Sequence, residues 1–354
     1  MPPVPVHRHD PALDTLVLPF ESAGLTLAAD TLFLRAKAGA ALPSIAREWA
    51  CEQGFRPEAD ALQRAGLDCS PRIADAAHAR VLALLPRQRD QARALLARGL
   101  SNLGPDGVLV ASLANNDGAR SAEADLSRLA GPVQSLSKHK CRVFWVSRAT
   151  ATLDRELLDA WRSLDAPRPV ADGRFLSRPG LFAWDRIDDA SALLASCLPS
   201  DLRGRGADLG AGFGFLSSEV VSRCAGVTAL DLYEADYEAL ELARVNVSRQ
   251  VPANAAAGDV AFGFLWHDVS TGLPKRYDFI VTNPPFHQGR ADLPDLGRSF
   301  IAAAANALVP GGRLWLVANR HLPYEAALAS GFAKVRVVEM RDGFKVIEAL
   351  KATP

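Results

Sequence analysis

Cysteine is scarce in this chain of 354 residues, and the five present are Cys51, Cys69, Cys141, Cys197 and Cys224. They form no Cys-x-x-Cys pair and no cluster with histidine, which are the spacings of metal sites and redox motifs. We therefore predict no metal site, and we expect the cysteines to be free, buried thiols of a protein in a reducing compartment.

Long apolar runs and an excess of one charge are also missing. No run approaches the ~20 residues that a membrane-spanning helix needs, and the start, MPPVPVHRHDPALD, lacks the pattern of a secretory signal. Lysine plus arginine and aspartate plus glutamate both number 40. This balance argues against a general polyanion binder, although it can hide a local basic face. We expect a soluble, cytoplasmic protein with no membrane partner.

The length is sufficient for about two domains of ~150 residues each. A segment rich in proline, glycine and arginine, LDAPRPVADGRFLSRPG, occupies residues 164–180. Such a composition is typical of a connection between two halves. We therefore predict one domain over residues 1–165 and a second over residues 166–354.

The second half alternates between strand and helix patterns. Helical spacing marks residues 213–225, 234–250 and 296–309. Strand-like apolar runs occupy residues 206–212, 227–232, 262–268, 277–283, 313–319, 333–340 and 344–350. This alternation predicts an α/β fold with a doubly wound, seven-stranded sheet. Because the last two runs are close together, we expect them to form an antiparallel hairpin.

The first half contains a weaker copy of the same pattern. Residues 80–116 align with the region from Asp278 onward: strand, proline-containing turn, helix, Pro-x-Gly turn, strand, and then Ala-Asn. Where the second copy has Asn-Pro-Pro-Phe at 283–286, the first has Leu-Pro-Arg-Gln at 85–88, and it lacks a glycine-rich loop. We predict a duplicated domain in which the first copy is degenerate.

A glycine-rich loop follows the first strand of the second half. The stretch ADLGAGFGFLSSEV places Asp208, Gly210, Gly212 and Gly214 between a strand and a helix. Glycine permits positive φ and close approach of a ligand, and a helix N-terminus offers unpaired N–H groups. We predict that these four residues bind a cofactor.

Two acids near the ends of the next strands are candidates for the same site. We predict that Asp231 ends strand 227–232 and accepts hydrogen bonds from ribose hydroxyls, and that Asp268 accepts from an adenine amine. Their alternative interpretations are a helix N-cap and a turn. Together with the loop they predict an adenosyl site, which could hold either a dinucleotide or a methyl sulfonium donor.

The fourth strand end distinguishes between those two donors. There the sequence Asn-Pro-Pro-Phe follows a buried strand, and two adjacent prolines hold the backbone in a fixed direction. The side-chain oxygen of Asn283 and the carbonyl of Pro284 could accept both hydrogen bonds of a planar NH₂ group, while Phe286 stacks on the base. This arrangement exposes the nitrogen lone pair and predicts N-methyl transfer.

These motifs resemble those of class I S-adenosylmethionine-dependent methyltransferases, and more narrowly the ribosomal RNA guanine-N2 methyltransferases of the RsmC/RlmG group. The segments that carry the resemblance are RFLSRPGLF (174–182), DLGAGFG (208–214), NPPFHQG (283–289), VANRHLPY (317–324), GFKVIEA (343–349), NNDGARSAE (115–123) and KHKCRVFWV (138–146). The resemblance implies two related Rossmann-like domains. The second binds S-adenosyl-L-methionine and reacts, and the first helps to fold or to grip RNA.

The resemblance also implies further site residues. Ser177 belongs to a segment that lies over the cofactor pocket in the family, and Asn283 adjoins the same pocket. Basic residues of the first half, together with His287, are candidates for contact with RNA. The basic ones are Arg87, Arg89, Lys138 and Lys140; a solvated helix face is their alternative interpretation.

The sequence therefore predicts an enzyme that methylates the N2 amine of a guanine in ribosomal RNA. It is expected to act as a monomer on ribosomal RNA or a ribosomal subunit. Two alternatives remain: an N-methyltransferase for adenine N6 or a protein glutamine amide, and a catalytically silent RNA-binding or assembly module.

Overall fold

The computed structural model describes residues 9–250, 260–285, 287–288, 291–292 and 294–353. The chain forms two compact units: Met1–Pro167 with Arg178–Gly180, and Arg168–Ser177 with Leu181–Pro354. The division falls in the proline- and glycine-rich segment, two residues from the predicted boundary.

The described part of the first unit contains seven strands and six α-helices. Its strands are β1 (Thr31–Leu34), β2 (Ala50–Glu52), β3 (Cys69–Ser70), β4 (His78–Leu84), β5 (Leu103–Ala114), β6 (Gln134–Lys138) and β7 (Cys141–Ser147). Its helices are α1 (Pro11–Leu16), α2 (Leu18–Ser22), α3 (Arg56–Arg64), α4 (Arg89–Ser101), α5 (Ala119–Ala130) and α6 (Arg155–Arg162). The strands form one sheet in the order β3-β2-β1-β4-β5-β7-β6.

The second unit contains a sheet of the same size. Its strands are β8 (Arg168–Val170), β9 (Phe175–Ser177), β10 (Arg203–Leu209), β11 (Gly226–Glu234), β12 (Ala261–Trp266), β13 (Tyr277–Thr282), β14 (His287–Gln288), β15 (Ala291–Asp292), β16 (Leu308–Asn319), β17 (Lys334–Arg341) and β18 (Phe344–Leu350). Its helices are α7 (Asp189–Cys197), α8 (Phe215–Arg223), α9 (Tyr237–Gln250), α10 (Pro294–Ala307) and α11 (Glu325–Gly331). The main sheet has the order β12-β11-β10-β13-β16-β18-β17.

Both sheets are buried on their two faces, as parallel sheets flanked by helices must be. Along β13, Ile280 enters one apolar cluster, whereas Phe279 and Val281 enter another on the opposite face. Along β4, Val81 and Leu82 are divided between two clusters in the same way. This double burial explains why these strands are continuous apolar runs rather than alternating ones.

The two units share one topology, which confirms the predicted duplication. In each main sheet six strands run in the same direction and the last strand runs opposite to them, inserted between the fifth and the sixth. In each unit a short helix capped by an aspartate precedes the first central strand: Asp10 caps α1 and Asp188 caps α7. The predicted seven-stranded sheet with its antiparallel hairpin is therefore also confirmed.

Candidate active site

The ends of β10 and β13 lie side by side at the carboxyl edge of the second sheet. Leu209 is paired with Thr282, and the hydroxyl of Thr282 donates to the carbonyl of Leu209 at 2.7 Å. A Cβ atom built on Gly210 would lie 3.9 Å from the carbonyl oxygen of Asn283. The glycine loop and the Asn-Pro-Pro segment therefore start next to each other, as the sequence predicts for one site.

The glycine loop needs glycine for its backbone. Gly210, Gly212 and Gly214 have φ values of 72°, 55° and 90°, in the left-handed region that side chains disfavour. A Cβ on Gly214 would lie 3.1 Å from Ala243, whereas a Cβ on Gly212 would meet none of the described residues within 4 Å. Gly214 therefore allows close packing inside the protein, and Gly212 borders open space that a ligand could occupy.

Asp208 lies beneath this loop and is fully buried. Its Oδ2 accepts a hydrogen bond from the hydroxyl of Ser217 at 2.7 Å, and its Oδ1 has no partner among the described residues. Burial raises the pKa of this carboxyl to about 7, and the hydrogen bonds from Ser217 only partly oppose the shift. Asp208 therefore carries a proton for much of the time at neutral pH.

This pKa predicts a pH-dependent stability. Between about pH 4 and 7 folded Asp208 keeps a proton that the unfolded chain releases, so the free energy of unfolding should fall as the pH rises through that window. The Asp208→Asn variant should lose this component, which is on the order of 2 to 4 kcal/mol. Thermal melts at pH 5 and pH 8 would test this. The wild type should lose more stability between pH 5 and pH 8 than the variant does. Equal losses in the two proteins would contradict the prediction.

The prediction that the second strand ends at Asp231 is wrong, because β11 continues to Glu234. Asp231 lies inside the strand, where its carboxylate accepts from Lys275 Nζ at 2.9 Å and from the hydroxyl of Tyr277 at 2.8 Å. The hydroxyls of Tyr233 and Tyr277 are 2.5 Å apart. Asp231 is therefore part of a buried polar network that connects β11 to β13 and to Lys275, just before β13.

Glu234 occupies the strand end that we had assigned to Asp231. Its Oε2 accepts from the backbone N–H of Gly212 at 2.7 Å, and its Oε1 accepts from the N–H of Asp236 at 2.8 Å. Burial raises its pKa to about 7. Glu234 is the next carboxylate in the sequence after Asp231. A predicted strand of 227–234 in place of 227–232 would therefore have ended at this acid.

Asp268 lies two residues beyond the end of β12. Its Oδ1 accepts from the backbone N–H of Ser270 at 2.9 Å, which caps the short 3₁₀ turn Val269–Thr271. The carboxylate therefore has a structural role of the kind that the turn interpretation described. Contact with a cofactor stays a prediction for this residue.

The side chain of Asn283 is held from one side. Its Nδ2 donates to Asp188 Oδ2 at 2.9 Å and to the hydroxyl of Ser191 at 2.8 Å. Its Oδ1 accepts no hydrogen bond from the described residues, and Pro284 is buried beside it. Phe286 lies outside the described residues, as does the side chain of His287, so their predicted roles stay predictions.

Ser177, at the end of β9, is fully buried, and its hydroxyl has no partner within the described part of the chain. The preceding residue, Leu176, is fixed through both its backbone groups by the side chain of Asn246, at 2.7 and 2.8 Å. Asn246 in turn donates to the carbonyl of Phe213 in the glycine loop at 2.8 Å. One buried amide therefore joins the segment that contains Ser177 to the loop.

The predicted RNA-binding residues differ in their surroundings. Arg87 and Lys140 are exposed and line a cleft of about 770 Å³ in the first unit. Lys138 is exposed outside this cleft. Arg89 instead forms an ion pair with Asp125, at 3.0 Å, in addition to its role as the first residue of α4. Arg89 therefore already has a structural partner, whereas Arg87 and Lys140 remain the better candidates for RNA contact.

All five cysteines are free thiols, of which Cys51, Cys141 and Cys224 are buried and the other two are half-buried. In the described ranges no three histidine, cysteine or acidic side chains are grouped so that they could hold a metal ion. No helix in those ranges is long and apolar enough to cross a membrane.

The chain matches known proteins over both units. The family model of the methyltransferase small domain covers residues 172–348, which is half of the chain. Ribosomal RNA small subunit methyltransferase C of Serratia proteamaculans is 31% identical over 75% of this chain and 73% of its own length. The protein of the same name from Pseudomonas aeruginosa is 30% identical over 87% of this chain and 90% of its own length.

A solved structure shares the whole fold. The T. thermophilus 16S rRNA N2 G1207 methyltransferase (RsmC), solved with AdoMet and guanosine, superimposes with a TM-score of 0.78. The match covers 98% of this chain and 93% of that one at 24% sequence identity, so it shows the two-domain fold.

The site fits the predicted cofactor, S-adenosyl-L-methionine. Among the described residues, Gly212 borders open space, Glu234 places a carboxylate at the adjoining strand end, and the oxygen of Asn283 has no partner beside the loop. An adenosyl sulfonium needs these features: an open backbone, an acceptor for hydroxyls and a polar edge. The fold, the site and the relatives agree with the family predicted from the sequence: this chain belongs to the methyltransferase small domain family and, within it, to the ribosomal RNA small subunit methyltransferase C proteins.

Proposed function

We propose that this protein methylates the exocyclic N2 amine of a guanine in the RNA of the small ribosomal subunit, with S-adenosyl-L-methionine as methyl donor. Its relatives are named as methyltransferases of that RNA, and the T. thermophilus protein is named for N2 of a guanine. The observation that carries the proposal is the amide of Asn283: its nitrogen donates to Asp188 and Ser191, and its oxygen, which accepts from none of the described residues, can accept from a substrate.

The cofactor would be held by the glycine loop and by Glu234. Gly210 and Gly212 let it approach the backbone, and the carboxylate of Glu234 can accept hydrogen bonds from two ribose hydroxyls. When bound, S-adenosyl-L-methionine supplies an electrophilic methyl group whose bonding electron pair stays with the sulfur as the methyl leaves. Every other requirement falls on the substrate amine and on the residues that orient it.

Asn283 and Pro284 provide that orientation. The lone pair of a guanine amine is delocalised into the ring, so the amine is a poor nucleophile. Two acceptors, the Asn283 side-chain oxygen and the Pro284 carbonyl, bind its two N–H groups and favour a pyramidal nitrogen. The methylated nitrogen is acidic enough to release its extra proton to water, so no strong base is required.

The alternatives share this chemistry and differ in the acceptor. Adenine N6 and a protein glutamine amide also present a planar NH₂ group. Radiolabelled methyl donor should therefore be offered in parallel to stripped ribosomal RNA, assembled small subunits and a release factor. We expect label in guanine of the small-subunit RNA, located by mass mapping of N2-methylguanosine. Label in adenine or protein would overturn the choice of acceptor, and no label or cofactor binding would favour a silent RNA-binding module.

We propose further that the first unit contributes to RNA binding through its cleft. The lining includes four cationic side chains, of which Lys37 is paired with Asp10 at 2.8 Å, whereas Arg87 and Lys140 are exposed. Phosphate contacts of this kind bind RNA without reading its sequence.

Charge reversal tests this role of the cleft. The Arg87→Glu, Lys140→Glu double variant should bind small-subunit RNA about 10-fold more weakly and show a shallower salt dependence, because two phosphate contacts are lost. Its affinity for S-adenosyl-L-methionine should be unchanged. Filter binding at several salt concentrations measures the affinity for RNA and its salt dependence.

The matched control is Arg155→Glu, an exposed arginine of α6 that does not line the cleft. It changes the total charge without removing a cleft residue and should leave RNA affinity within twofold. Equal losses in both variants would show a general charge effect and would contradict the role of the cleft.

We also propose that the enzyme works in the cytoplasm as a monomer, which light scattering should show as a mass near 37.8 kDa.

A further inference from the structure

We propose that Asp188 and Ser191 are positioning residues of the methyl transfer, which hold the amide of Asn283 so that its oxygen stays available to the substrate amine. This inference rests on the proposed function, since it explains how the acceptor of that reaction is oriented. Both residues contact Asn283 across more than 90 positions of sequence, at separations of 95 and 92 residues.

An asparagine amide has two N–H donors and one carbonyl acceptor, and a half-turn about its last bond exchanges them. In Asn283 the nitrogen donates to a carboxylate oxygen at 2.9 Å and to a hydroxyl at 2.8 Å, so both donors are used. The rotated amide would direct its oxygen at the carboxylate of Asp188, which is repulsive. Asp188 therefore selects one of the two orientations, and in that orientation the oxygen accepts no hydrogen bond from the described residues.

Asp188 is itself held in place. The oxygen that accepts from Asn283, Oδ2, also accepts from the backbone N–H of Ser191 at 2.9 Å and so caps α7. The buried residues Ala190, Leu193 and Leu194 anchor that helix in the core of the unit. The core therefore holds α7, and the cap of α7 holds the amide of Asn283, which would otherwise rotate. A preorganised site requires support of this kind.

The charge of Asp188 has a second consequence. A carboxylate beside the NH₂ group of an amide favours the resonance form that carries negative charge on the oxygen. The hydrogen bond between Asp188 and Asn283 and the one between Asn283 and the substrate therefore strengthen each other. The substrate nitrogen becomes positive as it takes the methyl group, and the N–H group that donates to Asn283 then binds the polarised oxygen more strongly. Because this gain grows toward the transition state, it should raise kcat more than it lowers KM.

The degenerate unit supplies an internal comparison. There Asp10 caps α1 as Asp188 caps α7, and Leu13 stands three residues after it, where the second unit has Ser191. Leu85 follows β4 where Asn283 follows β13. The asparagine and the serine are therefore absent together, while the aspartate, which has a capping role of its own, is present in both units.

Two single variants separate charge from contact. Asp188→Asn removes the charge but keeps an oxygen that caps the helix, because asparagine is as good an N-cap as aspartate. Ser191→Ala removes only the hydroxyl. Each should lower kcat about 10-fold while KM for RNA and the affinity for S-adenosyl-L-methionine change by less than about threefold.

A double-mutant cycle then tests whether these residues act through Asn283. On an Asn283→Ala background, Asp188→Asn should cause no further loss of kcat, since the group that it positions is gone. The control is Asp154→Ala, which removes the N-cap of α6 in the first unit and should affect stability without lowering kcat. Wild-type kcat in both single variants, or losses that multiply with that of Asn283→Ala, would overturn the proposal.

A readout without turnover separates this inference from the proposed function. The side-chain NH₂ signals of Asn283, identified by their loss in Asn283→Ala, should exchange slowly in the wild type and at least about 10-fold faster in Asp188→Asn. If the wild-type enzyme methylates no guanine, the proposed function fails and this comparison still stands. If it methylates guanine but the NH₂ exchange is equal in both proteins, the positioning role fails alone.

Discussion

Replacing Asn283 with alanine should lower kcat for guanine methylation by about 10²- to 10³-fold, the range measured when one preorganised hydrogen-bonding group is removed from an active site. The alanine variant loses the acceptor oxygen and the amide that Asp188 and Ser191 hold. The Pro284 carbonyl remains, so one of the two N–H groups of the substrate is still bound. Single-turnover rates with saturating RNA and cofactor would measure the effect on the chemical step.

A matched substitution controls for the loss of a buried amide. Asn102 in the first unit donates from Nδ2 to Asp75 at 3.1 Å and to the carbonyl of Arg98 at 2.9 Å, much as Asn283 donates twice. Asn102→Ala should therefore destabilise the protein, while the single-turnover rate stays close to that of the wild type. If Asn283→Ala methylates RNA as fast as Asn102→Ala does, Asn283 is not the acceptor and the proposed chemistry is wrong.

Local patterns of the sequence were sufficient to predict the frame of this site. Glycine permits the positive φ values of the loop after β10, and two successive prolines restrict the backbone after β13, so both features follow from the residue types. The duplication was also visible, because each copy preserves the order of strand, turn and helix. Such constraints act within a few residues and do not depend on the rest of the fold.

The contacts that orient side chains could not be predicted in the same way. Asp231 looked like a strand end because an acid normally interrupts a buried run, yet Lys275 and Tyr277 satisfy it from 44 and 46 residues away. Arg89 looked like part of an open basic face, but its partner Asp125 is 36 residues distant. Only the packing of the folded chain brings these pairs together, and a single sequence carries no signal of the pairing.

Replacing Glu234 should weaken the binding of S-adenosyl-L-methionine far more than replacing Asp231. Glu234 ends β11 and touches the glycine loop through Gly212, so its carboxylate can accept two ribose hydroxyls. Hydrogen bonds to a charged group contribute about 1.5 to 3 kcal/mol each, so Glu234→Gln should raise Kd about 30- to 100-fold. Asp231→Asn should change Kd by less than about threefold and lower the melting temperature instead, because it breaks the buried network with Lys275.

Glu234 also predicts that the binding of the cofactor depends on pH, which calorimetric titrations would measure. Because the pKa of Glu234 is raised to about 7, its carboxyl group is mostly protonated at pH 6 and mostly ionised at pH 8. The ionised form accepts hydroxyls better, so the affinity of the wild type for the cofactor should rise over that interval, and the affinity of Glu234→Gln should change less. If Asp231→Asn loses the affinity and its pH dependence while Glu234→Gln keeps both, then the acid inside β11 contacts the ribose and the strand-end assignment is wrong.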